Sequence, residues 1–209
     1  MPYSDKQIGI MESAEALFAE RGFAGTSVRD IADKADVNLA MISYYFGSKE
    51  KLLESLFAWR SESNKLILEE IVGKPDLSAL DKVNLLVDHY IEKILLQQNF
   101  QKVLAREQVN SSTGPVAELI INMKKQNLGI ISRLINEGQQ KGEFRLDIDI
   151  PLMMITMVGT VNQLVTTKQH YCVLSGMGSM SEQAFRSSIH EKLSRHFKSL
   201  FKMMLGHEV

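Results

Sequence analysis

The sequence predicts an all-α protein: an N-terminal three-helix head containing a helix-turn-helix, on a larger helical body. Three observations carry this. Apolar residues recur at three- and four-residue intervals along most of the chain, capping and breaking residues fall between those runs, and no stretch alternates long enough to make a convincing strand. The 209 residues, 44% hydrophobic and 23% charged, suit a soluble globular chain with one substantial core or a small head on a larger body. The head is expected over residues 4–64, including the first half of a fourth helix, and the body over residues 65–209. No internal repeat is present.

The first helix is expected from about Asp5 to Glu20, closed by Arg21-Gly22-Phe23. Thr26 or Ser27 caps the next one, in which Val28, Ile31, Ala32 and Ala35 share a face and Asp30 suits the positive end of the helix dipole. That helix stops near Asp36, Val37 plugs the corner, and Asn38 caps a third helix from Leu39 to Phe46, ended by Gly47. On the third helix Ile42, Tyr45 and Phe46 turn inward. Leu39, Ala40, Ser43 and Tyr44 face out, with Met41 at the border. An outer face of small residues and hydroxyls lets a helix approach the floor of a DNA major groove. The alternative is an ordinary helical corner in a core.

A fourth helix runs from Lys49 to about Val72 and ends at Gly73-Lys74-Pro75, with Trp59, the only tryptophan, midway as a packing or ligand-lining residue. Ser78 caps a helix within Asp76 to Gln98, whose Leu80, Val83, Leu86, Val87, Tyr90, Ile91, Ile94 and Leu95 fall at helical spacing. A shorter helix, Phe100 to Val109, precedes the break Asn110-Ser111-Ser112-Thr113-Gly114-Pro115, and a long one follows from Val116 to about Lys141. Pro151 opens a methionine-rich helix reaching to about Cys172, and after the Leu174–Ser179 turn a final helix carries a stripe from Phe185 to Met204. The last two helices either finish a monomer's own core or meet a second copy around a two-fold axis as a four-helix bundle.

Two blocks point to a family. Ala19 to Ala32 (Ala-Glu-Arg-Gly-Phe-Ala-Gly-Thr-Ser-Val-Arg-Asp-Ile-Ala) and Tyr44 to Leu53 (Tyr-Tyr-Phe-Gly-Ser-Lys-Glu-Lys-Leu-Leu) resemble the signature blocks of the TetR family of transcriptional regulators. The match covers roughly the first quarter of the chain. The resemblance implies that Thr26 and Ser27 hold backbone phosphates at a helix start, that Arg29 reaches phosphates or base edges, that Asn38, Leu39, Ala40 and Met41 begin the recognition helix, and that Lys49 clamps a phosphate. Ser43 stands where the family usually has a phosphate-binding tyrosine and Tyr45 where histidine is more usual; Tyr44 or Tyr45 then supplies the missing hydroxyl, with partial burial of Tyr45, its hydroxyl at the edge, as the alternative. The resemblance also implies a dimer through the last two helices, assigned to Met153, Met157, Val161, Leu164, Phe185, Ile189, Leu193, Phe197, Leu200 and Met204.

Charge limits how such a head holds DNA. Residues 1 to 60 carry seven Lys or Arg against nine Asp or Glu, so phosphate binding depends on placement rather than on a basic surface. Few ion pairs per subunit are expected, with a correspondingly shallow salt dependence.

Enzyme chemistry finds no foothold. No glutamate has a histidine three residues later, the five histidines show no i, i+4 pair, and there is neither a Gly-rich phosphate loop nor a Gly-x-Ser-x-Gly elbow. The lone Cys172 allows no intrachain disulfide and reads as a small core residue or a redox sensor, and no cofactor is implied. No apolar run approaches the ~20 residues of a membrane span, and the start at Met1-Pro2 lacks a secretory signal, so the cytoplasm is expected. The expected function is a homodimeric repressor that leaves a palindromic operator when a small apolar or amphipathic effector enters the body. Trp59, His89, Tyr90, Gln108, Met123, Met157, Thr160 and Gln163 are the candidate lining residues, each with core packing as the alternative. The alternative to the whole reading is a helical interaction module that kept the fold without specific DNA binding.

Overall fold

The computed structural model describes residues 3–110, 113–178 and 180–207. Met1-Pro2, Ser111 and Ser112 of the expected break, and Ser179 of the expected turn lie outside the described residues. Ten helices and no strand occur among the described residues: α1 (Asp5–Arg21), α2 (Val28–Lys34), α3 (Leu39–Phe46), α4 (Lys49–Val72), α5 (Ala79–Leu96), α6 (Gln98–Asn110), α7 (Pro115–Gln140), α8 (Ile150–Thr166), α9 (Lys168–Leu174) and α10 (Glu182–Leu205). No single helix among them is long and apolar enough to cross a membrane.

The chain packs as two compact units, Met1–Lys65 with Asn99–Lys125, and Leu66–Gln98 with Gln126–Val209. The first holds more than the head expected from sequence. Phe100 and Val103 of α6 and Ile120 and Met123 of α7 are buried in the same apolar cluster as Phe18, Ile31, Ile42, Leu56 and Phe57, and the Phe57 and Phe100 rings stand 5.3 Å apart. Periodicity shows that α6 has an inner face but not which cluster that face joins. One ion pair is buried in this unit: Arg60 Nε and Nη2 donate to the Glu15 carboxylate at 2.8 and 3.1 Å, and Glu15 is 5% exposed. Burial holds the Glu15 carboxyl above its ordinary pKa, outweighing the opposing pull of Arg60.

In the second unit α5 is the central helix, with α8 and α10 packed on it and Ile130, Ile131, Leu134 and Ile135 of α7 in the same core. Asp88 of α5 accepts hydrogen bonds from Ser194 and Lys198 of α10, both at 2.6 Å. Gly138 lets α7 meet the following connector: a Cβ there would lie 2.2 Å from the Phe144 ring. The long methionine-rich helix expected to reach Cys172 instead breaks at Thr167, and α8 and α9 meet at 86°. Thr156, Thr160 and Thr167 each turn a hydroxyl back onto the carbonyl four residues earlier, an interaction that bends helices and weakens continuation.

Seven residues of the expected dimer stripe are corrected. Met153, Met157, Val161, Phe185, Ile189, Leu193 and Phe197 are all at most 5% exposed, inside the chain's own core, while Leu164, Leu200 and Met204 are half-buried against it. The stripe is the inner face of two helices that close over α5. The faces turned outward carry Leu152, Ile155 and Met203, which are 55%, 67% and 70% exposed. Cys172 is half-buried against the same core.

Removing one member of the buried pair strands the other. Glu15→Ala is expected to lower the stability of the first unit by about 3–5 kcal/mol, and the double variant Glu15→Leu with Arg60→Met by clearly less. Denaturant unfolding followed by Trp59 fluorescence checks both.

Candidate nucleic-acid interface

Ser27, rather than Thr26, caps α2. Its hydroxyl accepts the Asp30 N–H at 3.1 Å while the Asp30 carboxylate accepts the Ser27 N–H at 2.8 Å and its hydroxyl at 2.6 Å, a reciprocal capping box. Those bonds from Ser27 push the Asp30 pKa below its ordinary value. Thr26 is 1% exposed and its hydroxyl donates to Gly22 O at 2.8 Å. The expectation that the Thr26 hydroxyl holds a phosphate is therefore corrected: it closes the loop between α1 and α2.

The turn between α2 and α3 is built on Asp36, whose φ of 52° makes it the one non-glycine in the left-handed region among the described residues. Aspartate tolerates that conformation better than most residues. It lets the Val37 N–H bond to Ala32 O at 3.0 Å and sends the chain into Asn38, whose side chain accepts the Ala40 N–H at 2.9 Å as the cap of α3. Gly47, at φ 78°, ends α3 with its N–H on Ser43 O.

The eight residues of α3 divide as their spacing requires. Ile42 and Phe46 are buried in the first unit's core, whereas Asn38, Leu39, Ala40, Ser43 and Tyr44 are exposed, Tyr44 at 83%. Met41 is intermediate. Tyr45 is also intermediate, partly buried against the same core, its ring edge-on to Tyr44 and Phe46 with centroids 5.2 and 6.3 Å away. Arg29 and Lys34 are exposed on α2. Lys49 departs from the phosphate-clamp expectation: its Nζ donates to Phe23 O and Thr26 O, both at 2.8 Å, and lies 4.3 Å from the centre of the Phe23 ring.

The candidate effector residues divide between the two units. In the first unit Trp59 is half-buried under the Arg60 guanidinium, Met123 is buried, and Gln108 is exposed and bonded to Leu104 O and Lys124. In the second, Thr160 and Gln163 lie on the exposed side of α8. His89 is half-buried edge-on to Tyr90, and burial, helped by Lys93, pushes its pKa down to about 4. Tyr90 and Met157 share a small apolar cavity of about 20 Å³ completed by Val83, Leu86, Val87, Ile131, Met153, Met154 and Phe201. The sequence marked these as core without showing that their packing leaves a gap. Among the described residues no group of three or more His, Cys, Asp or Glu side chains could hold a metal ion.

Two family models match this chain. The model for bacterial regulatory proteins of the tetR family matches residues 10–56, and that for the C-terminal region of YsiA-like proteins matches residues 64–191. The probable HTH-type transcriptional regulator YttP of Bacillus subtilis is 31% identical over 151 residues, 71% of either chain. The fatty acid metabolism regulator protein of the same organism is 27% identical over 191 residues, covering 90% of this chain and 97% of the relative. A crystal structure of FadR from Bacillus subtilis in complex with stearoyl-CoA superposes with a TM-score of 0.64 at 26% identity, over 90% of this chain and 97% of the other.

The His89 environment makes a pH prediction. The folded state resists protonation down to about pH 4, whereas the unfolded chain takes up a proton near 6.5, so the stability His89 contributes at pH 7 is lost as pH falls through that window. The melting temperature is expected to drop from pH 7 to pH 4.5, and the drop to be shallower in His89→Gln, measured by calorimetry across that range.

Proposed function

Because the chain belongs to the TetR family of bacterial regulatory proteins, we propose that this DNA-binding transcriptional regulator is a cytoplasmic homodimeric repressor, released from a palindromic operator by a long-chain acyl thioester. The observation that carries the DNA half is the uncovered outer face of α3. Asn38, Leu39, Ala40, Ser43 and Tyr44 present an uncovered face on a helix held from behind by Ile42 and Phe46, with Tyr45 partly buried beside them. In this reading α3 enters the major groove, Tyr44 supplies the hydroxyl that Ser43 is too short to extend, and the exposed Arg29 of α2 reaches phosphate or a base edge. Residues 4–64 are the DNA-binding domain, with α6 and the start of α7 packed behind it, and the remainder of the chain binds the effector and the second copy.

Support for an acyl thioester comes from the Bacillus subtilis FadR, bound to stearoyl-CoA, whose length this chain matches almost throughout. The apolar cavity in the second unit fits the hydrocarbon end of such a ligand in chemistry but not in size. Met153, Met154 and Met157 line it, and flexible thioether chains open a cavity more readily than branched ones. A ligand that opens the cavity binds one conformation better than the other, which is the requirement for shifting operator affinity. The second copy is assigned to the outward faces, through Leu152, Ile155 and Met203; Gly159, where a Cβ would meet nothing within 4 Å, allows a close approach. A two-fold dimer places its recognition helices roughly one DNA turn, ~34 Å, or more apart, hence the palindrome.

Selection of duplexes from a random pool by the purified protein tests the DNA half. A two-fold symmetric motif is expected, relaxed or lost with Arg29→Ala and Tyr44→Ala; no enrichment at low salt by folded protein would instead favour the interaction-module reading. On the selected operator, stearoyl-CoA is expected to release the protein while coenzyme A alone does not. Equal inertness of both would remove the acyl thioester and leave the DNA half standing. Ile155→Asp is expected to give a folded monomer in sedimentation; a dimer unchanged by it would move the interface elsewhere.

A further inference from the structure

A lysine at the first position of a helix sits at the unfavourable end of the helix dipole, where an acidic residue belongs. Lys49 occupies that position on α4, a helix of 24 residues. Its ammonium is turned away from the helix axis and into the loop between α1 and α2. There it donates to Phe23 O and to Thr26 O, at 2.8 Å each, and covers the Phe23 ring at 4.3 Å.

Gly22 takes a φ of 79°, and a Cβ on Gly25 would fall 2.6 Å from Arg21 O, so the loop's backbone is tightly folded by residues that add no side-chain anchor. Besides Lys49, the loop is tied by the Gly22 N–H at Phe18 O, 2.9 Å, by the Thr26 hydroxyl at Gly22 O, 2.8 Å, and by the Thr26 N–H at Phe23 O, long at 3.3 Å, with Arg21 3.9 Å from Asp30 across it. The ammonium holds Phe23 O and Thr26 O, the carbonyls nearer the start of α2. Immediately after Thr26 comes Ser27, the cap that sets where α2 begins.

We propose that Lys49 is a positioning residue for DNA binding: its ammonium clamps the α1–α2 loop through the Phe23 and Thr26 carbonyls and so fixes the start of α2, with Arg29 on it, rather than neutralising a phosphate. Two of the three ammonium hydrogens are committed to carbonyls, and the ring takes one side of the charge. What reaches DNA through Lys49 is geometry. The clamp also ties the first turn of α4 to the start of α2, so a displacement of that turn is felt at Arg29. The proposal rests on the DNA-binding reading above for its consequence, but the clamp is measurable in the free protein.

The test uses full-length protein, amide hydrogen exchange without DNA, and titrations of the selected operator at several salt concentrations. Lys49→Met keeps the stem and loses the ammonium. It is expected to speed exchange of the Thr26 amide and to weaken operator binding by roughly tenfold, the size of one hydrogen bond to a charged group, with the log–log salt slope unchanged. A phosphate contact would lower that slope by about one unit per subunit and leave Thr26 exchange as it was; that result overturns the proposal. Lys49→Arg decides the matter if the methionine variant does not fold. Its wider planar head cannot place one nitrogen on both carbonyls, so weakened binding with faster Thr26 exchange is expected, whereas a phosphate contact would tolerate arginine. Thr26→Val, which removes the hydroxyl bond to Gly22 O, is expected to reproduce the Lys49→Met behaviour. Failure of the wild type to bind any duplex would sink the repressor reading, while the exchange data would still accept or reject the clamp.

Discussion

Helices of seven and eight residues have no stability of their own in water, because nucleation costs more than so few hydrogen bonds return. α2 and α3 are of that length, so they exist only while Ile31, Ala32, Ile42 and Phe46 are buried against α1 and α4. That constraint fixes both what α3 buries and what it leaves uncovered. Two side chains one turn apart hold it from behind, and everything on the far side is released for recognition. A longer helix would be steadier but would not need the tight turn at Asp36, and the turn is what sets the angle between the two. The caps follow from the same shortage. Ser27 with Asp30 on α2, and Asn38 on α3, satisfy terminal N–H groups that make up a large share of so short a helix.

Much of this was legible in the sequence, because local rules govern it. Asn38 and Gly47 bracket α3 by their own chemistry, and the wheel put Ile42 and Phe46 inside and Tyr44 outside, as the structure has them. What was not legible depends on which face meets which neighbour. The Phe185, Ile189, Leu193 and Phe197 stripe shows that α10 has an inner face; it says nothing of whether the inside belongs to one chain or two, and here α5 fills it. Likewise Thr26 and Ser27 carry the same hydroxyl chemistry side by side. Only the fold of the preceding loop turns one inward to Gly22 O and leaves the other as a cap. The break at Thr167 was hidden because hydroxyls folding back on the helix are invisible to a reading of apolar spacing alone.

The electrostatics of the first unit are consistent with recognition by shape more than by charge. Arg60 is consumed by Glu15, Lys51 by Glu54, Arg21 lies within 3.9 Å of Asp30, and Lys49 serves the loop. With those cations engaged, the proposed groove contact would depend more on the fit of the hydroxyl-lined α3 than on neutralising phosphate.

How far an effector can act depends on where the second unit is soft. Polar anchors tie its helices, among them Lys82 of α5 with Glu137 of α7, and Asp88 of α5 with Ser194 and Lys198 of α10. Around the cavity between α5 and α8 the lining is mostly aliphatic and thioether, from Val83, Leu86, Val87, Met153, Met154 and Met157, with the Tyr90 and Phe201 rings. Apolar contacts of that kind rearrange at a cost proportional to the area exposed, and an incoming acyl chain would cover the same area again. Under the proposed function an acyl chain would enter at the α5–α8 seam, while the ion pairs of the α5–α10 and α5–α7 seams hold their register. A ligand with a long hydrocarbon tail would stabilise the opened apolar seam far more than the two anchored by charge.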